Sequence, residues 1–156
     1  NGATLIEILV SVLVLSIGML GMVSLQARAM QFNTSALYQS QANTMVYNII
    51  DMMRANDGDA LALYMHGISD AVKELGSFKS CIDNPCTPEE LARYDKYTWL
   101  NELDILLPSG LGEISVNGNG IYSITVQYDD SRAEKSSKFG QNNTIAAKRI
   151  TFRTEL

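Results

Sequence analysis

The chain has 156 residues, 46% of them hydrophobic and 19% charged, and a formal net charge of −5. At about 150 residues per domain the length admits one domain, and the composition is that of a folded rather than a disordered chain. The acidic balance argues against a general nucleic-acid binder, and two cysteines with one histidine fall short of the four ligands of a structural zinc site.

These averages conceal an asymmetry. None of the 12 Lys and Arg residues precedes Arg28, and of the 17 acids only Glu7 does. The run from Leu5 to Leu25, LIEILVSVLVLSIGMLGMVSL, carries that single charge. As a helix it spans roughly 30 Å, enough to cross a bilayer core. A secretory signal has a shorter apolar region, of about 7–15 residues, than this run of 21. The segment therefore reads as a single-pass anchor. The alternative, a buried core helix, asks a small domain to surround it on all sides. Glu7 does not suit a generic anchor, because a carboxylate costs about 2.5–3.5 kcal/mol at the membrane centre. It reads either as an interfacial acid among headgroups or as a carboxylate that meets a cation, such as an α-amino group, when the helix packs against its relatives.

Gly2-Ala3-Thr4-Leu5-Ile6-Glu7, followed by this apolar run, resembles the class III signal of type IV pilins and type II secretion pseudopilins. The resemblance implies that a prepilin peptidase cuts after Gly2 and methylates the new amino terminus at Ala3. It implies that Glu7 pairs with the amino-terminal nitrogen of a neighbouring subunit during assembly. It further implies a residual leader at 1–2, a transmembrane or filament-core helix over 3–27, and an amphipathic helix with a globular head over 28–156. Most of the family's basic leader is expected to have been trimmed before Asn1. Two positions depart from the common pattern. Ala3 stands where Phe is usual, and Ser24 lies near the place of the helix-breaking proline of many major pilins. Gly18 and Gly21 are the weak points of the helix.

Beyond the anchor the helical pattern continues. Leu25, Ala29, Phe32 and Ala36 recur at helical spacing, as do Val46, Ile49, Ile50 and Met53. One helix is predicted from about Thr4 to about Asn56. Its first half is apolar all round, and its second half is amphipathic, with the Gln, Asn and Ser residues between Gln31 and Asn48 on the solvated face. Asn56-Asp57-Gly58-Asp59 is a break. Leu61, Met65, Ile68, Val72 and Leu75 then predict further helix, interrupted at Gly67 and stopped at Gly76. His66, the only histidine, reads as a surface or packing residue.

Cys81 and Cys86 enclose Ile-Asp-Asn-Pro. In an oxidising compartment this pair reads as a structural disulfide; a metal site lacks further ligands, and a redox pair prefers C-x-x-C. Thr87-Pro88-Glu89-Glu90 is a capping box with proline at the first helical position. It predicts a helix to about Leu107, with Trp99, Leu103 and Leu106 on one face. Glu113–Val116 predicts a short strand, Asn117-Gly118-Asn119-Gly120 a turn, and Tyr122, Ile124, Val126 and Tyr128 a half-buried strand. Asp129 to Asn143 is polar and predicts a loop; Asp129 and Asp130 read as solubilising acids, with calcium the alternative. Ala146, Lys148, Ile150 and Phe152 share one face of a last strand, with Arg149, Thr151 and Arg153 on the other. The fold class is thus α+β, pilin-like, with a long amino-terminal helix packed against a small antiparallel meander.

The short Cys pair, the Trp-containing helix and Leu-Pro-Ser-Gly-Leu-Gly before two strands make the head similar to PilV-type minor pilins, the type IV pilus modification proteins. That resemblance implies a subunit, not an enzyme, and no cofactor. It implies partners among other minor pilins and the major pilin, with a tip adhesin, and a route from the inner membrane with a periplasmic head to the pilus. A type II secretion minor pseudopilin is the related alternative. A membrane-anchored ligand- or DNA-binding head is the alternative from another class, with Lys148, Arg149 and Arg153 as its only tight basic cluster; nucleic acid is not the expected partner. No G-x-S-x-G, Walker loop or H-E-x-x-H appears.

Overall fold

The computed structural model describes residues 4–56, 58–68, 80–131 and 147–156. The first element, α1, is one helix over Leu5–Ala55, about 76 Å long at 1.5 Å rise per residue. It is continuous because no Pro occurs in it and its two glycines lie where the side chains around them are strong helix formers. It ends where Asn56 N–H donates to the carbonyls of Met52 (3.2 Å) and Met53 (3.3 Å). Gly58 then turns the chain at φ 93°, a conformation open to glycine because it has no Cβ.

A short 3₁₀ helix follows over Asp59–Tyr64. The predicted helix does not continue through Met65 and Ile68. Instead His66 forms a two-way backbone bridge with Ile114, N–H to carbonyl at 3.0 Å and 2.9 Å. The apolar spacing misled because a strand-like bridge to a distant segment captures these backbone groups. The predicted positions Val72, Leu75 and Gly76 lie outside the described residues.

The second helix, α2, spans Pro88–Leu106. Its capping box is formed on both sides: Glu90 N–H donates to Thr87 Oγ1 at 3.3 Å, and Thr87 N–H donates to Glu90 Oε2 at 3.0 Å. Trp99 and Leu103 are fully buried as predicted, but Leu106 is exposed and Leu107 is buried in its place. The helix stops at Leu106, and Leu107 takes an extended conformation, so the next core side chain no longer follows the helical period.

Three strands complete the head: β1 (Leu111–Val116), β2 (Ile121–Asp129) and β3 (Ala147–Glu155). They form an antiparallel meander in the order β1-β2-β3, with Ile114 opposite Ile124 and Ile124 opposite Phe152. The β1–β2 turn is held by Asn117, whose Oδ1 accepts from the N–H groups of Asn119 (3.0 Å) and Ile121 (2.9 Å). Most of the predicted polar loop, 132–143, lies outside the described residues; Asp129 closes β2.

The core lies between these elements. Ala42, Met45, Val46, Ile49, Ile50 and Met53 of α1 meet Trp99 and Leu103 of α2 and Ile124, Val126 and Tyr128 of β2. Trp99 is its centre, with its indole N–H donating to the Met45 carbonyl at 2.9 Å, which meets the polar requirement of a buried tryptophan. Gly112 is required beside it: a Cβ there would stand 2.5 Å from two ring carbons of Trp99.

Candidate assembly helix and the foot of the head

The first half of α1 presents the largest unpartnered surface. Fifteen large apolar side chains from Leu5 to Leu25 are 54–82% exposed. Fully burying such a side chain is worth about 1.5–3 kcal/mol, so covering them all represents on the order of tens of kcal/mol. This half has the length and hydropathy of a membrane span, and none of its apolar window is buried inside the molecule. Two of its hydroxyls are satisfied locally: Ser11 Oγ donates to the Glu7 carbonyl and Ser16 Oγ to the Val12 carbonyl, both at 2.7 Å. A hydroxyl bonded to the i−4 carbonyl carries no unmet polar group into an apolar medium.

Glu7 lies in the first turn of α1. The unpaired N–H groups of a helix start favour a negative charge there. The side chain of Thr4 makes no cap, while the Thr4 carbonyl accepts from the N–H groups of Glu7 (3.0 Å) and Ile8 (3.3 Å). Gly2 and Ala3, the proposed processing residues, lie outside the described residues. Gly18 and Gly21 face open space on the same exposed half.

Lower on the head, the stalk and the sheet are joined by polar contacts that the sequence did not announce. Ser35 and Gln39 were assigned to the solvated face, yet both reach the head. Ser35 Oγ donates to Asp130 Oδ2 at 2.6 Å, and Lys148 Nζ donates to Gln39 Oε1 at 3.0 Å while standing 3.7 Å from Asp130 Oδ2. Beside this joint is a cavity of about 270 Å³ between α1 and the end of β2. Tyr128 packs edge-on against Tyr38, with ring centroids 6.4 Å apart, and its buried hydroxyl has no hydrogen-bond partner among the described residues. Burial, with the Asp130 charge nearby, pushes the Tyr128 hydroxyl up to about 12.

At the other end of the head a buried polar chain ties three elements. Asn56 Nδ2 donates to the Pro88 carbonyl (2.8 Å) and to Tyr64 Oη (3.3 Å), and Tyr64 Oη–H donates to Asp95 Oδ2 (2.7 Å). Burial raises the Asp95 carboxyl above the usual carboxylate range, and the Tyr64 hydrogen bond opposes that shift. Asp95 at the buried face of α2 was the available signal, an acid among apolar positions, but its partner Tyr64 is 31 residues distant and could not be named from it.

The remaining predicted residues are distributed as follows. Cys81 and Cys86 are joined in a disulfide with Cα atoms 5.6 Å apart, and Ile82 in its loop is exposed. His66 is buried and serves β1 through its backbone. The basic cluster of β3 is split. Lys148 faces α1, whereas Arg149 turns to the opposite face and donates to Gln127 Oε1 at 2.7 Å and 3.2 Å. Among the described residues no three His, Cys, Asp or Glu side chains converge as a metal site.

Over residues 24–97 the chain matches a family model described as Tt1218-like, type IV pilin Tt1218. No curated protein and no solved structure is matched. The matched stretch begins at the end of the apolar run and ends within α2, so the Gly2–Glu7 motif lies outside it and points the same way independently. The family match supports a type IV pilin, and a 51-residue amino-terminal helix packed on a three-stranded antiparallel sheet is consistent with the pilin fold.

Proposed function

We propose that the protein is a minor pilin of the PilV type that joins other minor pilins in the complex that primes a type IV pilus and sits near its tip. The observation that carries this reading is the exposed apolar half of α1 with Glu7 in its first turn. In this reading residues 1–2 are leader remnant, 3–27 the membrane or filament-core segment, and 28–156 the rest of the subunit. The role is structural rather than catalytic. The helix waits in the inner membrane with the head in the periplasm, where an oxidising environment suits the Cys81–Cys86 disulfide. It leaves lipid only when partner helices replace the lipid around it.

Glu7 supplies the register. An unpaired carboxylate penalises a wrong stagger, and pairing with the methylated amino terminus at Ala3 of a neighbour rewards the right one. Glu7→Ala is expected to abolish recovery of the subunit in sheared filaments while the head keeps its fold; normal incorporation of this variant would remove the mechanism. Mass spectrometry of the amino-terminal peptide from filaments and membranes tests the processing. A peptide starting at N-methylated Ala3 supports it, and one retaining Gly2 opposes it. The same fractions separate the pilus from the secretion pseudopilus, because only the former places the subunit in surface filaments. The split of Lys148 from Arg149 disfavours a DNA-binding strip on β3.

A further inference from the structure

We propose that the apolar seam of α1 from Gly18 to Ala36 packs against the same seam of a second copy of this chain, displaced by about one helical turn, so that each bulky side chain of one helix meets a small one of the other. This rests on the reading of α1 as a membrane-anchored assembly helix.

Two sets of positions recur every seven residues along one face of α1. Gly18, Leu25 and Phe32 form one set, and Met22, Ala29 and Ala36 the other. Their successive spacings of 4, 3, 4, 3 and 4 residues are those of a two-helix seam, whose 3.5-residue period keeps it facing another helix. All six positions are exposed, Met22 by 64%, Leu25 by 70% and Phe32 by 55%. The head buries none of them, since the first buried residue of α1 is Ala42. The next position of the first set, Gln39, is engaged by Lys148, which ends the seam. Met30 and Leu37 are also exposed at a spacing of seven, but Asn33 and Thr34 stand between them, so that face holds no continuous apolar line.

Lipid covers only the lower part of this seam. Headgroup layers add about 5–7 Å to the hydrocarbon core on each side, whereas Phe32 stands about 10 Å beyond Leu25 at 1.5 Å per residue. Phe32 and Ala36 therefore find cover on protein. The order of sizes sets the register. With the two helices level, Phe32 meets Phe32 and Ala29 meets Ala29, which crowds one layer and leaves a gap in the next. A displacement of four residues sets Gly18 against Met22, Leu25 against Ala29 and Phe32 against Ala36. The small residues let the backbones approach, and the bulky ones fill the space between them. Ala3 and Glu7 are also four residues apart, so the displacement that pairs Glu7 with a neighbour's amino terminus is the one that fits the seam. The helices run parallel, because both anchors enter one membrane from the same side. Both halves of the fit lie on this chain, which makes a second copy the occupant.

The test uses the full chain in nanodiscs of phosphatidylethanolamine and phosphatidylglycerol, loaded with more than one copy and with no other pilin. The two native cysteines are joined to each other, so an introduced cysteine reports proximity alone. Chains carrying Leu25→Cys are mixed with chains carrying Ala29→Cys and oxidised. The crosslink between positions 25 and 29 is expected to exceed that between two positions 25 by about tenfold. Adding Ala36→Phe to both chains enlarges the apolar surface but sets two rings against each other, and should bring the two yields level. Adding Phe32→Ala as well re-creates a large-against-small layer and should restore the excess. Equal yields with the native Phe32 and Ala36, an excess that survives Ala36→Phe, or no recovery on adding Phe32→Ala overturns the proposal, as does a chain that inserts and forms no crosslink. Failure to insert at all defeats the anchor reading and this proposal with it. A Glu7→Ala chain that keeps the excess supports the seam independently of the Glu7 pairing, so the two fail separately.

Discussion

Residues 5–25 and 42–53 belong to one helix, and they differ in what satisfies them. In the second segment the buried positions are Ala42, Met45, Val46, Ile49, Ile50 and Met53, a stripe at helical spacing that the head covers completely. In the first segment apolar side chains cover every face and the molecule buries none of them. The same backbone thus carries a folding surface and an assembly surface, joined near Ser35 and Gln39. The lesson is that the head is stabilised by contacts within the chain, whereas the amino-terminal half has no internal contact to lose and depends on lipid or other helices.

That division can be broken by substitutions in the head that change stability without changing membrane insertion. The largest effect is expected for Trp99→Ala, which removes a fully buried ring and its bond to the Met45 carbonyl. A cost of about 3–5 kcal/mol should appear in urea unfolding of the detergent-solubilised chain, with insertion of α1 into nanodiscs unaltered. A parallel loss of insertion would show that head and anchor are not separable.

Replacing both Cys81 and Cys86 with Ser opens a loop closed between residues five apart in sequence. The chain-entropy relation gives about 2 kcal/mol for so small a loop, measurable as a lower urea midpoint that reductant reproduces in the wild type. Thr87→Ala removes the side-chain acceptor for Glu90 N–H and should cost about 1 kcal/mol, with helix content falling only near α2.

The smallest effect sharpens the comparison through pH. Because burial raises the Asp95 carboxyl, the folded state holds this proton to higher pH than the unfolded chain does. The contribution of Asp95 to stability is full below the ordinary carboxylate value and is lost as pH rises through the raised one. Asp95→Asn keeps an acceptor for the Tyr64 hydroxyl and removes that loss. Its unfolding free energy should be within about 1 kcal/mol of the wild type and should flatten over the mildly acidic range. An unchanged pH profile would exclude Asp95 as its source.

Much of the architecture could be read from local chemistry. The bounds of α1 follow from an uninterrupted run of helix formers and a Gly58 that turns at positive φ. The start of α2 follows from Thr87, Pro88 and Glu90, three residues that interact only with their immediate neighbours. The meander follows from alternating side chains and from Asn117, which organises its own turn. The Gly2–Glu7 motif with its apolar run directed attention to the assembly helix. Each of these signals acts over a few residues, and such interactions are present in the sequence before any tertiary contact forms.

Other features depended on which distant segment packs against them. Met65 and Ile68 have helical spacing, but Ile114 captures His66 in a backbone bridge. Leu106 follows the period of α2, but the chain turns after it and Leu107 enters the core. Ser35 and Gln39 look like solvated stalk residues until β2 and β3 bring Asp130 and Lys148 against them. The Asn56–Tyr64–Asp95 chain and the cavity at the foot of the head exist only because α1, α2 and the sheet converge. By itself the sequence determined α1, the start of α2 and the strands of the meander, and marked the surface left without an internal partner. Only the tertiary structure decided how polar side chains pair across the head, because the energy of such pairs depends on burial and distance rather than on neighbours along the chain.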